Sequence, residues 1–258
     1  MPTLLPTRPS EAKNPLDRVR ENLRYLGLQK TDEGLEGLLD KATRRSTSVA
    51  EFLDDMAQEE ARAKFERQVR RRLKEAKIPV LKTLENFEWT WPEKINRQQV
   101  LSLLDLRFIE EKRNTLLLGP AGVGKSHIAT AIAHRACQEG RRVLFTTAVH
   151  LVNHLQASLA DGGLIRRLNS YSRPELLIID ELGYLPIDKQ GADLLFQVVS
   201  ARYERGSIVL TSNRAFKEWG HVFNDNTIAA AVIDRLAHHS EVVLIEGKSY
   251  RMKGKKNP

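Results

Sequence analysis

The stretch that most constrains this chain runs from Gly119 through Pro120, Ala121, Gly122, Val123, Gly124 and Lys125 to Ser126. Before it, Thr115 leads three leucines and predicts a buried strand. After it, residues 127–139 predict a helix that stops at Gly140. The glycines therefore sit where a strand turns sharply into a helix. Gly119, Gly122 and Gly124 let the backbone curl so that its N–H groups point inward at an anion. The helix N-terminus adds partial positive charge. Lys125 adds a full charge for β- and γ-phosphates, and the Ser126 hydroxyl can hold Mg²⁺. A glycine-rich turn can match this spacing by chance. The strand before and the helix after favour a nucleoside triphosphate site.

Downstream, short apolar runs alternate with helical periodicity. Strands are predicted at 142–146, 176–180, 207–212 and 241–245, and helices at 148–160, 163–171, 189–204 and 227–238. That alternation implies a parallel sheet with helices on both faces. Residues 176–179 are apolar throughout, as a central strand requires. The strand ends in Asp180 and Glu181, at the sheet edge where such folds place ligands. Two acids after a strand can simply cap a helix. With a phosphate loop upstream, Asp180 is read as a Mg²⁺ ligand beside Ser126, and Glu181 as the base for water. A base for water favours hydrolysis over transfer to a second substrate. Asn213 ends the next strand and is read as a hydrogen-bond partner of the γ-phosphate or of that water, the other use being a turn. Arg235 is read as an arginine finger, serving its own or a neighbouring subunit, the plainer use being a surface pair with Asp234.

Upstream, residues 1–13 carry three prolines and read as a loose tail. Asn14 and Pro15 predict a helix start, a second helix is predicted at 32–44, and Ser48 with Glu51 forms a capping box. The third helix should run to about residue 77, with Leu53, Met56, Phe65, Val69 and Leu73 as its apolar stripe. Its second half holds Lys64, Arg67, Arg70, Arg71, Arg72 and Lys74, a one-signed run read either as a solvated face or as contacts to phosphates. Residues 1–78 thus form a small all-α domain. Residues 79–96 form a linker or docking strap in which Phe87, Trp89 and Trp91 alternate, with plain packing favoured over contact to a base. A helix is predicted at 97–109. The net charge of +8 points to an acidic partner, nucleic acid first. Cys137 is the single cysteine, so no internal disulfide forms. No apolar run approaches 18 residues and no secretory signal is visible, so no membrane contact and a cytoplasmic location are expected. Residues 251–258 read as a basic tail.

These motifs together resemble the AAA+ ATPases. Residues 119–126 match Walker A, 176–181 match Walker B, and Asn213 matches sensor 1. Within AAA+, the stretches 21–28, 113–127, 180–186 and 234–240 resemble the IstB family of insertion-sequence transposition helpers, with the helicase loader DnaC as a relative. The resemblance implies an AAA+ domain at 97–250, ATP and Mg²⁺ as cofactors, and ATP-dependent homo-oligomers that coat and bend duplex DNA. It implies a transposase as partner and a role in target selection for DNA transposition. The segment 148–172 would be the extra helix of the initiator clade, with Arg166 and Arg167 as its DNA contacts. The rival expectation is a DnaC-like loader acting on a replicative helicase and single-stranded DNA. AAA+ proteins usually end in a helical lid carrying a sensor-2 arginine. Only 45 residues follow Asn213, too few for a full lid, and Arg251 is a weak candidate for that arginine.

Overall fold

A computed structural model describes residues 14–253; residues 1–13 and 254–258, which include the expected tails, lie outside the described residues. The chain divides between Arg70 and Arg71 into two compact units.

The first unit is helical. Helix α1 (Pro15–Tyr25) starts where the Asn14 side chain accepts the Leu16 amide at 3.1 Å. Helix α2 (Gln29–Arg45) follows Leu28, which offers no side-chain cap. Its first turn is capped from elsewhere: Glu60 accepts the Thr31 amide at 3.1 Å and takes the Arg67 guanidinium at 2.8 Å. Burial pushes the Glu60 carboxyl up, but the Arg67 bond and the Thr31 amide outweigh it and hold the group below its ordinary range. Helix α3 (Val49–Glu75) opens on the capping box, with Ser48 N–H on Glu51 at 2.8 Å and Glu51 N–H on Ser48 Oγ at 3.3 Å. The expected stripe along α3 does not hold, because Leu53 and Phe65 are each about half exposed. At roughly 100° per residue, the nine steps from Met56 to Phe65 end on the opposite side of the helix.

The second unit is built on five parallel strands: β1 (Asn114–Leu118), β2 (Val143–Thr147), β3 (Leu176–Leu182), β4 (Ser207–Ser212) and β5 (Ser240–Leu244). Their order across the sheet is β2-β3-β4-β1-β5. Successive side chains on a strand point to opposite faces, and both faces are covered. Leu117, Leu176 and Ile178 pack under α6 (Lys125–Gln138), with Ile128 and Ile132. Leu116, Leu177 and Ile179 pack on the other face with α7 (Ala148–Ala160), α9 (Lys189–Arg202) and α11 (Asn226–Ala237). Near-continuous apolar strands are what this double cover demands.

The segment 97–109 is not one helix. It splits into α4 (Arg97–Ser102), a 3₁₀ turn and α5 (Arg107–Glu110), because Leu106 adopts φ +59°, a left-handed turn that carries Phe108 and Ile109 together into the core. The predicted helix pair at 148–171 is present as α7 and α8 (Leu164–Ser172). A short helix, α10 (Trp219–Phe223), adds to the predicted elements, with Trp219 and Phe223 fully buried. After β5 comes only a 3₁₀ turn, Tyr250–Met252, so among the described residues no helical lid follows the sheet. No helix among them is long and apolar enough to cross a membrane.

Candidate phosphate-loop site

The loop between β1 and α6 has the conformation its glycines allow. Gly122 has φ +79° and Gly124 has φ +105°, the region L side chains avoid. Space excludes a side chain as well, since a Cβ on Gly122 would meet Ser249 Oγ at 2.0 Å and one on Gly124 would meet the Phe87 ring at 2.5 Å. Lys125, at the first position of α6, is buried, and its ammonium donates to the carbonyls of Gly119 at 2.7 Å and Pro120 at 2.6 Å. Burial lowers its pKa to about 8, although the nearby Asp180 opposes the shift.

Because β3 and β4 are neighbours, the polar ends of both strands converge on the loop. The Ser126 hydroxyl donates to Asp180 Oδ1 at 2.9 Å, and Asp180 is buried. The ladder register shifts between Ile179 and Leu182, and within that irregularity Glu181 adopts φ +65°. Thr211 ties the pair together: its hydroxyl donates to Asp180 Oδ1 and accepts the Glu181 amide at 2.9 Å. Asn213 follows β4. Its Oδ1 is buried and has no hydrogen-bond partner among the described residues.

Beside the loop is a cavity of about 250 Å³ whose lining includes Lys125, Ser126, Glu181, Thr211, Tyr184 and Arg251. The strap at 79–96 forms its other wall through Phe87 and Trp91. Phe87 meets His127 edge-on at 5.2 Å, and Trp91 meets Tyr250 edge-on at 5.5 Å. The C-terminal turn is pinned there, with Tyr250 N–H on the Gly122 carbonyl at 2.9 Å and the Trp91 indole on the Lys248 carbonyl at 2.9 Å. Arg251 is thus held at the mouth of the loop.

Arg235 lies elsewhere. It occupies the last turn of α11, next to Leu236, whose carbonyl accepts from Asn114 at the start of β1. The phosphate loop follows the other end of β1, about 17 Å away for a five-residue strand. The Arg235 guanidinium stacks over the Phe196 ring at 4.6 Å. On α8, Arg166 is exposed, whereas Arg167 turns inward and meets His154 Nε2 at 2.6 Å. Of the basic run on α3, Arg67 is engaged by Glu60, Arg71 by Glu75 at 3.6 Å, and Arg72 is half-buried. Lys64, Arg70 and Lys74 are exposed.

Sequence reading missed Thr211 as a site residue. Its position one residue before the end of β4, opposite the acid pair, was the available signal. It also set Phe87 and Trp91 aside as packing residues, since nothing in their spacing shows that they wall the cavity.

Known proteins place this architecture. Residues 21–258 match the family described as IstB-like ATP binding protein. A Pseudomonas aeruginosa protein named for ATP binding in insertion sequence IS21 is 41% identical over 222 residues, covering 86% of this chain and 84% of that one. A Geobacillus stearothermophilus counterpart named for insertion sequence IS5376 is 38% identical over 240 residues, covering 93% and 96%. Among solved structures, DnaI matches with TM-score 0.53 at 19% identity, over 65% of this chain and 89% of that chain. The replication initiator DnaA bound to AMPPCP and single-stranded DNA matches with TM-score 0.53 at 24% identity, over 66% of this chain and 52% of that chain. At these identities the two structures show a shared fold, a parallel sheet flanked by helices. With its loop, its acid pair and a family match over nearly its whole length, the chain belongs to the IstB-like ATP binding protein family.

Proposed function

We propose that this protein is a Mg²⁺-dependent ATPase that assembles on duplex DNA and assists the transposase of an insertion sequence. The observation that carries the reading is the contact of Ser126 with Asp180, next to Glu181, at the edge of the cavity that Ser126 and Glu181 line. Two oxygen donors 2.9 Å apart match one edge of an octahedral Mg²⁺ site, ~2.9 Å for bonds of 2.0–2.1 Å. Ser126 and Asp180 would hold the ion, which when bound neutralises charge on the β- and γ-phosphate oxygens.

The chain's own groups account for the rest. Loop amides and Lys125 bind the phosphates. Glu181 takes a proton from water as the water oxygen attacks the γ-phosphorus. The bond from that phosphorus to the bridging oxygen breaks, leaving ADP and phosphate. Asn213, which follows β4 next to the strand that carries the acid pair, would bond the attacking water. Phe87 and Trp91 offer aromatic surface to the base. Arg235 is too far from its own loop to serve it, which supports action on a neighbour's nucleotide and so an ATP-dependent oligomer. The +8 charge and the exposed Arg166 support contact with DNA phosphates, read through backbone and shape rather than base edges. The names of the relatives support the insertion-sequence setting.

The test is ATP turnover with Mg²⁺ and duplex DNA. Lys125→Ala should lose nucleotide binding, and Glu181→Gln should bind ATP but hydrolyse it about 100-fold more slowly. Turnover by Glu181→Gln at the unsubstituted rate would remove Glu181 from the base role.

A further inference from the structure

At the end of the sheet away from the phosphate loop, two tight turns bring Glu204, His238 and His239 together. Glu204 follows α9 at φ +56°, and the histidines follow α11. Both turns are fixed by backbone bonds: Arg205 N–H reaches the Arg202 carbonyl at 2.9 Å, and the His239 carbonyl accepts the Asn114 amide at 2.7 Å. One ligand atom from each of the three side chains lies within 4.8 Å of the other two, and all three residues are exposed.

The geometry points to a binding site for a borderline divalent transition metal, of the Zn²⁺ class, held by Glu204, His238 and His239. Three observations support it. First, His239 Nε2 stands 3.6 Å from Glu204 Oε1. That is longer than a good hydrogen bond, but close to the ~3.4 Å edge of a tetrahedron with metal–ligand bonds of 2.0–2.1 Å. Second, Tyr203 OH and His238 Nδ1 are bonded at 2.8 Å, which fixes the ring and leaves Nε2 for a metal, the arrangement that orients histidine ligands in metal sites. Third, two imidazoles and one carboxylate are the ligand set for Zn²⁺ with water in the open fourth position, and do not suit Mg²⁺ or Ca²⁺. The site is separate from Ser126 and Asp180. It pins the turn that follows Arg235, so metal there would stiffen the end of α11.

The test uses untagged full-length protein, ZnCl₂ titration by calorimetry, and Co²⁺ as an optical probe. The expected result is one saturable site of micromolar affinity, with visible Co²⁺ bands of a tetrahedral centre. Glu204→Gln and His239→Ala should each weaken binding at least tenfold, as loss of one ligand requires. The double variant His238→Ala/His239→Ala should abolish the bands. Because these side chains are exposed, metal-free melting curves of the variants should match that of the unsubstituted protein. Asp180→Asn should bind Zn²⁺ normally. Binding that survives the double histidine variant, or that is lost in Asp180→Asn, would overturn the assignment, as would no saturation below millimolar Zn²⁺.

Discussion

The amide of Glu181 donates to Thr211 Oγ1 across 2.9 Å, and this bond anchors the residue at φ +65°, off the β3 ladder. The same hydroxyl donates to Asp180. One threonine therefore holds both the Asp180 carboxylate and the Glu181 backbone. Thr211→Val, nearly the same shape without the hydroxyl, should lower kcat about 10–100-fold, the range for losing a supporting hydrogen bond at a metal site. ATP affinity should change little, because the loop is untouched. Thr211→Ser should recover most of the rate. Single-turnover hydrolysis with separately measured ATP affinity checks this; a variant that loses binding and rate equally would show a merely structural threonine.

Arg235 and Lys125 stand at opposite ends of β1, so a composite site needs two subunits. Arg235→Ala and Glu181→Gln proteins, which both keep the nucleotide that assembly requires, should each be nearly inactive alone. Mixed in equal amounts, they should recover about a quarter of the full rate, since one in four random interfaces joins an intact Glu181 to an intact arginine. No recovery on mixing, with both variants still assembling, would mean that Arg235 does not serve a neighbour's loop.

Glu60 predicts an acid-sensitive helix junction. Its carboxyl is held below the ordinary value, so its contribution is present at neutral pH and is lost as pH falls through that lowered pKa, below about 4.5. Glu60→Ala should destabilise the protein by about 1–3 kcal/mol at pH 7, leaving the first-turn amides of α2 uncapped. The deficit should shrink in the acid range. Hydrogen exchange at Lys30 and Thr31 in the full chain, followed from pH 7 down through the acid range below pH 4, reads this directly; a deficit that stays constant over the whole range would contradict it.

The elements of the candidate site were more legible in the sequence than the packing around them. Residues 119–126 and 176–181 announced themselves because phosphate binding demands specific residue types at fixed spacing next to a strand. The strands were legible for a related reason: burial on both faces leaves an unbroken apolar run. Leu106 broke the helix expected at 97–109 because a left-handed turn at a leucine leaves no compositional mark. Phe65 misled because a 27-residue helix drifts around its axis, and an apolar residue list without phase hides the drift. Glu60 capping α2 and Thr211 gripping two acids are contacts between segments about 30 residues apart, which local pattern cannot pair.

The proposed function turns on nucleotide binding driving assembly on duplex DNA. Its most direct test is size-resolved binding of Glu181→Gln to duplex and single-stranded DNA of equal length, with and without ATP and at two salt concentrations. The prediction is large complexes on duplex that require ATP and weaken steeply between low and moderate salt, as phosphate contacts do. Preference for the single strand would instead favour a helicase-loader role, and binding that ignores both ATP and salt would contradict ATP-driven assembly through phosphate contacts.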